Sequence, residues 1–364
     1  MRDSLRSARR VVVKVGTSSL TRSDGRLAPD QVDALVAELC ELLEAGREVV
    51  CVTSGAIAAG LGPLGLEKRP KDMPSLQAAA AVGQSHLMDA YATAFESRGR
   101  ACGQVLVTRS DFLHRQQYVN AQNTFQRLLA LGAVPVVNEN DTVSTDEIKF
   151  GENDLLAALV ANLVKGDVLV MLSDVDGLHD GKDGPVISEV DDITPEIEAL
   201  AGGSASSLGS GGMRSKLDAA RIASASGVSV VIAGFGKGAL KRVLDGEAVG
   251  TLFHAHPSKL TSRKAWIGYA TTPRGRVVVD DGARAAVVER NGSLLAAGVK
   301  SVEGSFQPGD AVDIVDDKGR TVARGLVGFS SDELQKIAGM GSEAVSKEIG
   351  DAREVVHRDE LVVL

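Results

Sequence analysis

A mostly parallel, open β-sheet sandwiched by helices, followed by a smaller β-rich domain, is the architecture this 364-residue sequence predicts. Three observations lead there. Short β-branched runs alternate with longer segments of helical period from Val11 onward. The runs are nearly continuous in apolar character, as strands buried on both faces must be. After about Gly250 the alternation stops, and short strands broken by Gly, Asp and Asn turns take over.

The elements follow in order. VVVKV reads as a strand, and PDQVDALVAELCELLEAG places Val32, Leu35, Val36, Leu39 and Leu43 on one helical face, with Pro29 near its start and Gly46 at its end. The unit recurs as EVVCVT before AIAAGL and SLQAAAAVGQSHLMDAYATAF, GQVLVT before VNAQNTFQRLLALG, AVPVVN before LLAALVANLV, DVLVMLS, and VSVVIA after MRSKLDAARIASASG. HPSKLTSRKAWIGYATTPRG has no period, and beyond it RVVVD, LLAAG, DAVDIVD and VARGLVG read as short strands. The expected division is residues 1–257 for the larger domain, 258–274 for a linker and 275–364 for the smaller one. At this length one hydrophobic core is not enough.

Composition narrows the classes. No apolar run reaches the ~18 to 20 residues that span a bilayer, and MRDSLRSARR runs into a short strand that ends at Lys14, unlike a secretory signal. A cytoplasmic protein is expected. Cys40, Cys51 and Cys102 sit in apolar runs without metal or disulfide spacing. His254 and His256, in a strand-like TLFHAH, would share one face but have no nearby cysteines. The formal charge of −8, and −5 from Gly275 onward, argues against a general nucleic-acid footprint.

In an open parallel sheet, ligands bind beyond the carboxyl ends of the strands, and the unusual residues fall there: Lys14 with Gly16-Thr17, Thr53-Ser54-Gly55, Asn138 to Asp141, and Ser173-Asp174. Each could be an ordinary turn. Lys14 stands in VVVKVG where an apolar side chain would be cheaper, so it is either a snorkelling edge lysine or a phosphate ligand, with Gly16 letting backbone N–H groups approach an anion.

GGSASSLGSGGMRSK, residues 202–216, is by composition a flexible linker, but it opens the amphipathic MRSKLDAARIA. Its glycines therefore sit at a helix N-terminus, where free N–H groups and the dipole favour phosphate. Lys216 is followed by Leu217, so this is not a Walker A loop. GLGPLG, from Gly60 to Gly65, imitates a dinucleotide fingerprint but follows a helical segment and contains Pro63. The triplet Glu-Asn-Asp occurs twice, at 139–141 and 152–154, each at the edge of an apolar run. Both copies can be read as cap and turn residues, or as ligands.

Taken together, VVVKVGTSSL, VTSGAIAAG, PVVNENDTVSTDEIKFGEND, LSDVDGL and GSGGMRSKLDAA resemble, in order and spacing, the glutamate 5-kinases of the amino-acid kinase superfamily. The tail from about Gly275 resembles a PUA domain. The resemblance implies the amino-acid kinase fold and ATP-dependent phosphorylation of the side-chain carboxylate of L-glutamate, the first step of proline biosynthesis, with Mg²⁺ and with proline as inhibitor. It implies phosphate contacts from Lys14 and Lys216, oriented by Asp154. Glutamate would be bound by Ser54, Asp141 and Asn153, and nucleotide by Lys14, Ser173, Asp174, Ser210, Gly211, Gly212, Met213, Arg214, Ser215 and Lys216. The stretch TVSTDEIKFG between the triplets would be a substrate flap. Which groups hold the metal is left open, and a homo-oligomer is expected.

The chemistry is consistent with that family. A side-chain carboxylate with an ordinary pKa of about 4.3 is already a nucleophile near neutrality, so no general base is needed. The obstacle is repulsion between anions, which lysines, N–H groups and Mg²⁺ relieve. Two rivals stand beside this: a uridylate or carbamate kinase of the same superfamily, against which SGAIAAG and the paired triplets speak, and an RNA-binding protein dominated by its tail, which the tail's acidity disfavours.

Overall fold

The computed structural model describes residues 2–112, 114–144, 152–181, 184–201, 212–256, 260, 262–269, 271, 273–350 and 353–364. The chain divides into two compact units, Met1–Lys259 and Leu260–Leu364.

The first unit runs α1 (Asp3–Arg6), β1 (Arg10–Val15), α2 (Thr17–Leu20), α3 (Pro29–Glu44), β2 (Glu48–Val52), α4 (Ala56–Leu61), α5 (Met73–Glu96), β3 (Cys102–Val107), α6 (Arg115–Ala130), β4 (Val134–Glu139), α7 (Glu152–Leu163), β5 (Val168–Ser173), β6 (Glu189–Val190), α8 (Pro195–Leu200), α9 (Met213–Ala225), β7 (Ser229–Gly234), α10 (Ala239–Leu244) and β8 (Thr251–Phe253). Among the described residues these strands form an eight-stranded sheet in the order β3-β4-β2-β1-β5-β7-β8-β6. All neighbours are parallel except β7 and β8. β4 and β5 are buried at every residue, and β1 at all but Arg10, which explains their unbroken apolar runs.

The chain leaves β1 toward β2 on one side and reaches β5 on the other, so strand order reverses at β1. Lys14 pairs in register with Val52 and Met171, in the middle of the sheet near its carboxyl edge. That is the topological switch point at which such sheets bind ligands. α4 and α5 cross so closely that a Cβ on Gly83 would lie 1.8 Å from the Ala56 carbonyl oxygen, and one on Gly60 2.0 Å from that of Ala79. The first glycine of GLGPLG is thus a helix-crossing residue rather than a phosphate turn. The basic N-terminal segment is anchored: the Arg2 guanidinium donates to the carbonyls of Ser188, Glu247, Val249 and Gly250.

Two readings near the end of this unit change. The run TLFHAH is strand only to Phe253, because β8 closes against β7 and β6 and the chain then leaves the sheet. His254 Nε2 lies 2.9 Å from Glu189 Oε2, and His256 Nδ1 3.6 Å from Asp192 Oδ1, so the two imidazoles meet separate carboxylates. Among the described residues no group of three or more His, Cys, Asp or Glu side chains is placed to hold a metal. None of the described helices is long and apolar enough to cross a membrane.

The second unit contains α11 (Ser262–Tyr269), β9 (Gly275–Val279), α12 (Asp281–Val288), β10 (Val299–Gly304), β11 (Ala311–Val315), β12 (Thr321–Leu326), α13 (Ser331–Ile337), α14 (Ser342–Ile349) and β13 (Leu361–Val363). Its described sheet has the order β10-β9-β11-β12-β13 and its own core, including Val277, Phe306, Ile314, Phe329 and Leu334. LLAAG is not a strand. Ala296–Gly298 forms a 3₁₀ turn, where Gly298 packs so near Ala283 that a Cβ would come within 2.3 Å of its methyl. The short helices escaped periodicity because each is about two turns long. α13 is set by its capping box, Ser330 with Glu333.

Candidate active site

The site is built where β1, β2, β4 and β5 end and where α7 and α9 begin. Asp154, in the first turn of α7, is wholly buried. Lys14 Nζ lies 2.5 Å from its Oδ1 and Lys216 Nζ 3.6 Å from its Oδ2, while Ser215 Oγ donates to Oδ2 at 2.8 Å. Lys14 is 6% exposed and Lys216 5%. Two ammonium groups from opposite ends of the first unit's sequence thus share one carboxylate in a desolvated position. Burial alone would raise the pKa of Asp154, but the attraction of Lys14 and Lys216, with hydrogen bonds from Lys14 and Ser215, holds it below the usual carboxylate value. Burial depresses Lys216; Asp154 opposes this, Lys14 adds to it, and Asp174 opposes it in turn.

Local sequence explains the placement. Gly16 follows β1 without a side chain, and a Cβ there would approach Lys14 Nζ to 3.6 Å. Gly212 is the N-cap of α9, which puts Ser215 and Lys216 in the first turns of that helix. Gly55 has a φ of 103°, which lets the chain turn sharply from Ser54 into α4.

A second cluster adjoins the first through α7. Asn153 Nδ2 donates to Ser54 Oγ at 2.9 Å and to Asn138 Oδ1 at 3.2 Å. Asn138 Nδ2 donates to Gln84 Oε1 at 2.9 Å. Asp141 lies just past β4, lining a cleft of about 210 Å³ with Gln84, Gln104, Leu106, Glu139 and Thr142. Its pKa is raised to about 6, because burial outweighs the attraction of Arg69. Thr53 Oγ1 lies 2.8 Å from the buried Tyr91 hydroxyl, which braces the end of β2 from α5.

The structure therefore brings Lys14, Asp154, Ser215 and Lys216 together, and Ser54 with Asn153. Ser173 Oγ donates to Asp174 Oδ1 at 2.9 Å at the end of β5. Arg214 turns to Glu198 and Asp218, at 3.1 and 3.5 Å. Met213 opens α9. Ser210 and Gly211, with the rest of 202–211, lie outside the described residues, as do 145–151 of the expected flap. Gln84 and Asn138 were not singled out as ligands by sequence: Gln84 reads as one polar position of a helix, and Asn138 as a strand-end amide. Tyr91 gave no signal at all.

Two buried ammonium groups on one carboxylate at a helix N-terminus suit a phosphate-bearing ligand held outside a P-loop. Residues 9–234 match the model of the amino acid kinase family, and residues 275–349 that of the PUA domain. Proteins named glutamate 5-kinase from Frankia casuarinae and Salinispora arenicola are 50% and 51% identical to this chain. The alignments span all of it, with 99% and 100% of those proteins. The glutamate 5-kinase of Streptomyces coelicolor is 50% identical over all of this chain and 98% of its own. The chain belongs to the amino acid kinase family and, within it, to the glutamate 5-kinases.

Proposed function

We propose that this protein transfers the γ-phosphoryl group of ATP to the side-chain carboxylate of L-glutamate, giving L-glutamyl 5-phosphate and ADP, the first step of proline biosynthesis. The observation that carries the reading is the buried fork of Lys14 and Lys216 on Asp154, next to the Ser54–Asn153 pair. The carboxylate oxygen of glutamate attacks the γ-phosphorus as the bond to the β,γ-bridging oxygen of ATP breaks. Lys14 and Lys216 offset the repulsion between the two anions and the charge that spreads over the transferring group. Asp154 does not act as a base, since its lowered pKa suits an anion that holds two cations in place. Asp141 and Asn153 receive the ammonium of glutamate, and Ser54 a carboxylate oxygen. The end of β5 and the N-terminus of α9 receive the nucleotide.

Mg²⁺ fits this site as a companion of the nucleotide rather than in an all-protein cage, because Asp154 is committed to two lysines and Ser215. Asp174, exposed at the end of β5, is the carboxylate that would hold it. When bound, the ion neutralises phosphate charge. Every assigned ligand precedes Gly236, so the chemistry belongs to the first unit, and the PUA-like domain follows it in the second; most of the expected linker 258–274 is part of that second unit, since Ser262–Tyr269 form α11 and Ile267 is buried with Ala311, Leu326 and Val362. On this reading proline inhibits by occupying the acceptor side, and the enzyme works as a cytoplasmic homo-oligomer. The test is ADP release with L-glutamate, L-aspartate, N-acetyl-L-glutamate and UMP as acceptors. Turnover with glutamate far above the other three is expected. Preference for any of the others overturns the assignment.

A further inference from the structure

Asn138 can be oriented in only one way. Its Oδ1 lies 2.9 Å from the backbone nitrogen of Glu139, and a peptide N–H can only donate, so that end of the amide is the oxygen. The other end is the amino group, and it meets Gln84 Oε1 at 2.9 Å. Gln84 accordingly turns Nε2 away, as a buried atom without a hydrogen-bond partner among the described residues. On its other side Asn138 Oδ1 takes a second hydrogen bond, from Asn153 Nδ2 at 3.2 Å. The same Nδ2 reaches Ser54 Oγ at 2.9 Å. Both amino hydrogens of Asn153 are then spent, and its Oδ1 is left buried with no partner among the described residues. Ser54 Oγ accepts, which frees its own proton to be given elsewhere. One backbone N–H thus sets the polarity of four side chains.

We propose that Gln84 is a positioning residue: with Asn138 it holds Asn153 with the carbonyl oxygen, and Ser54 with the hydroxyl proton, toward the acceptor substrate. A free acceptor beside a free donor is the complement of a zwitterion, with the ammonium at Asn153 Oδ1 and a carboxylate oxygen at Ser54. Gln84 supplies the acceptor that keeps the Asn138 amino group satisfied. Without it, that buried amino group must seek another oxygen, and Asn138, though the Glu139 N–H still fixes which end is the oxygen, is no longer held in line with Asn153. The proposal rests on the acceptor site assigned above and adds to it a residue on α5 that need not touch substrate.

The test uses the full-length protein with Gln84→Met and Gln84→Ala, which offer Asn138 no acceptor, and Gln84→Glu, which does. Steady-state constants are measured with L-glutamate and with glutarate, the same dicarboxylate without the ammonium, beside thermal melts. In the Met and Ala variants KM for glutamate should rise about 10-fold or more with kcat within about threefold, while kcat/KM for glutarate, which has no ammonium to lose, falls markedly less, so discrimination between the two acceptors narrows. Gln84→Glu should keep that discrimination. Equal losses on both acceptors, or a lowered melting temperature with discrimination intact, would make Gln84 a merely structural residue and overturn the proposal. Wild-type turnover of glutamate reports separately on the function, and it persists if only the positioning role fails.

Discussion

Lys14 Nζ stands 2.5 Å from Asp154 Oδ1, in a place where the lysine is 6% exposed and the aspartate not at all. An ion pair this dry is stable only while both members are present. Asp154→Asn leaves Lys14 and Lys216 buried without their shared anion, and breaking a buried pair costs about 3 to 5 kcal/mol. The variant should therefore melt well below wild type, and its kcat should fall by about 10² or more as the lysines lose their aim. KM for glutamate should change little. A variant that melts early yet turns over normally would confine Asp154 to a structural role.

The two lysines differ in what their removal relieves. Lys216 carries a pKa lowered mainly by burial, so Lys216→Met removes a charge that the fold tolerates at a cost. Its kcat should fall by about 10² or more with a smaller loss of stability than in Asp154→Asn. In the double variant Lys216→Met/Asp154→Asn, the stability losses should fall short of additivity, since the second change removes an anion one of whose two cations is already gone. Melts and initial rates on the four proteins of the cycle measure both quantities.

How much of this was legible in the sequence depends on how far each signal is local. Lys14 could be singled out because a lysine inside an apolar strand breaks its own pattern, and the Gly/Ser run because it opens an amphipathic helix. The parallel sheet was legible because its central strands are buried on both faces. The antiparallel closure of β8 on β7 was not, since three residues carry no periodicity. The amide chain from Gln84 to Ser54 was invisible for another reason: its members come from α5, β4, α7 and the end of β2, and only the strand order makes them neighbours.

The pKa of Asp141 gives a pH signature. Its folded value, about 6, exceeds the ordinary 3.8, so the fold binds this proton more tightly than the unfolded chain does. That contribution is present below pH 3.8, is lost as pH rises toward about 6, and leaves an ionised, poorly solvated carboxylate above it. Asp141→Asn should thus be at least as stable as wild type at pH 8, with its advantage shrinking at pH 4. Only the anion can pair with an ammonium, so KM for glutamate should climb as pH falls below about 6 in wild type and be higher but flat in the variant. Wild-type KM that ignores pH between 5 and 8 would remove Asp141 from the substrate site.

The two units bury separate cores, Val13, Leu35, Val36 and Val170 in one and Val277, Ile314 and Phe329 in the other. A chain ending at Lys259 should therefore fold and phosphorylate glutamate, with a kcat within about threefold of full length, the scale of a change that spares the transition state. Circular dichroism and ADP release check this. A folded but inactive fragment would show that the reaction needs the tail.

Gly83 offers the sharpest link between packing and site. A Cβ there would lie 1.8 Å from the carbonyl oxygen of Ala56 and 2.4 Å from the backbone nitrogen of Gly60, and backbone atoms cannot step aside as a flexible side chain can. Gly83→Ala must push α4 away from α5. Alanine favours helix over glycine by about 1 kcal/mol in isolation, so propensity alone predicts a more stable protein and steric contact predicts the opposite. Contact should win, because overpacking of this kind costs about 1 to 3 kcal/mol or more. The displacement does not stay local. α4 begins right after Ser54 and Gly55, and α5 carries Gln84 next to the substituted position, so both ends of the amide chain move with the two helices. KM for glutamate should rise with the loss of melting temperature, while KM for ATP, whose proposed ligands lie on β1, β5 and α9, should hold. If Gly83→Ala melts higher than wild type and binds glutamate unchanged, the close crossing of α4 and α5 does not set the acceptor site.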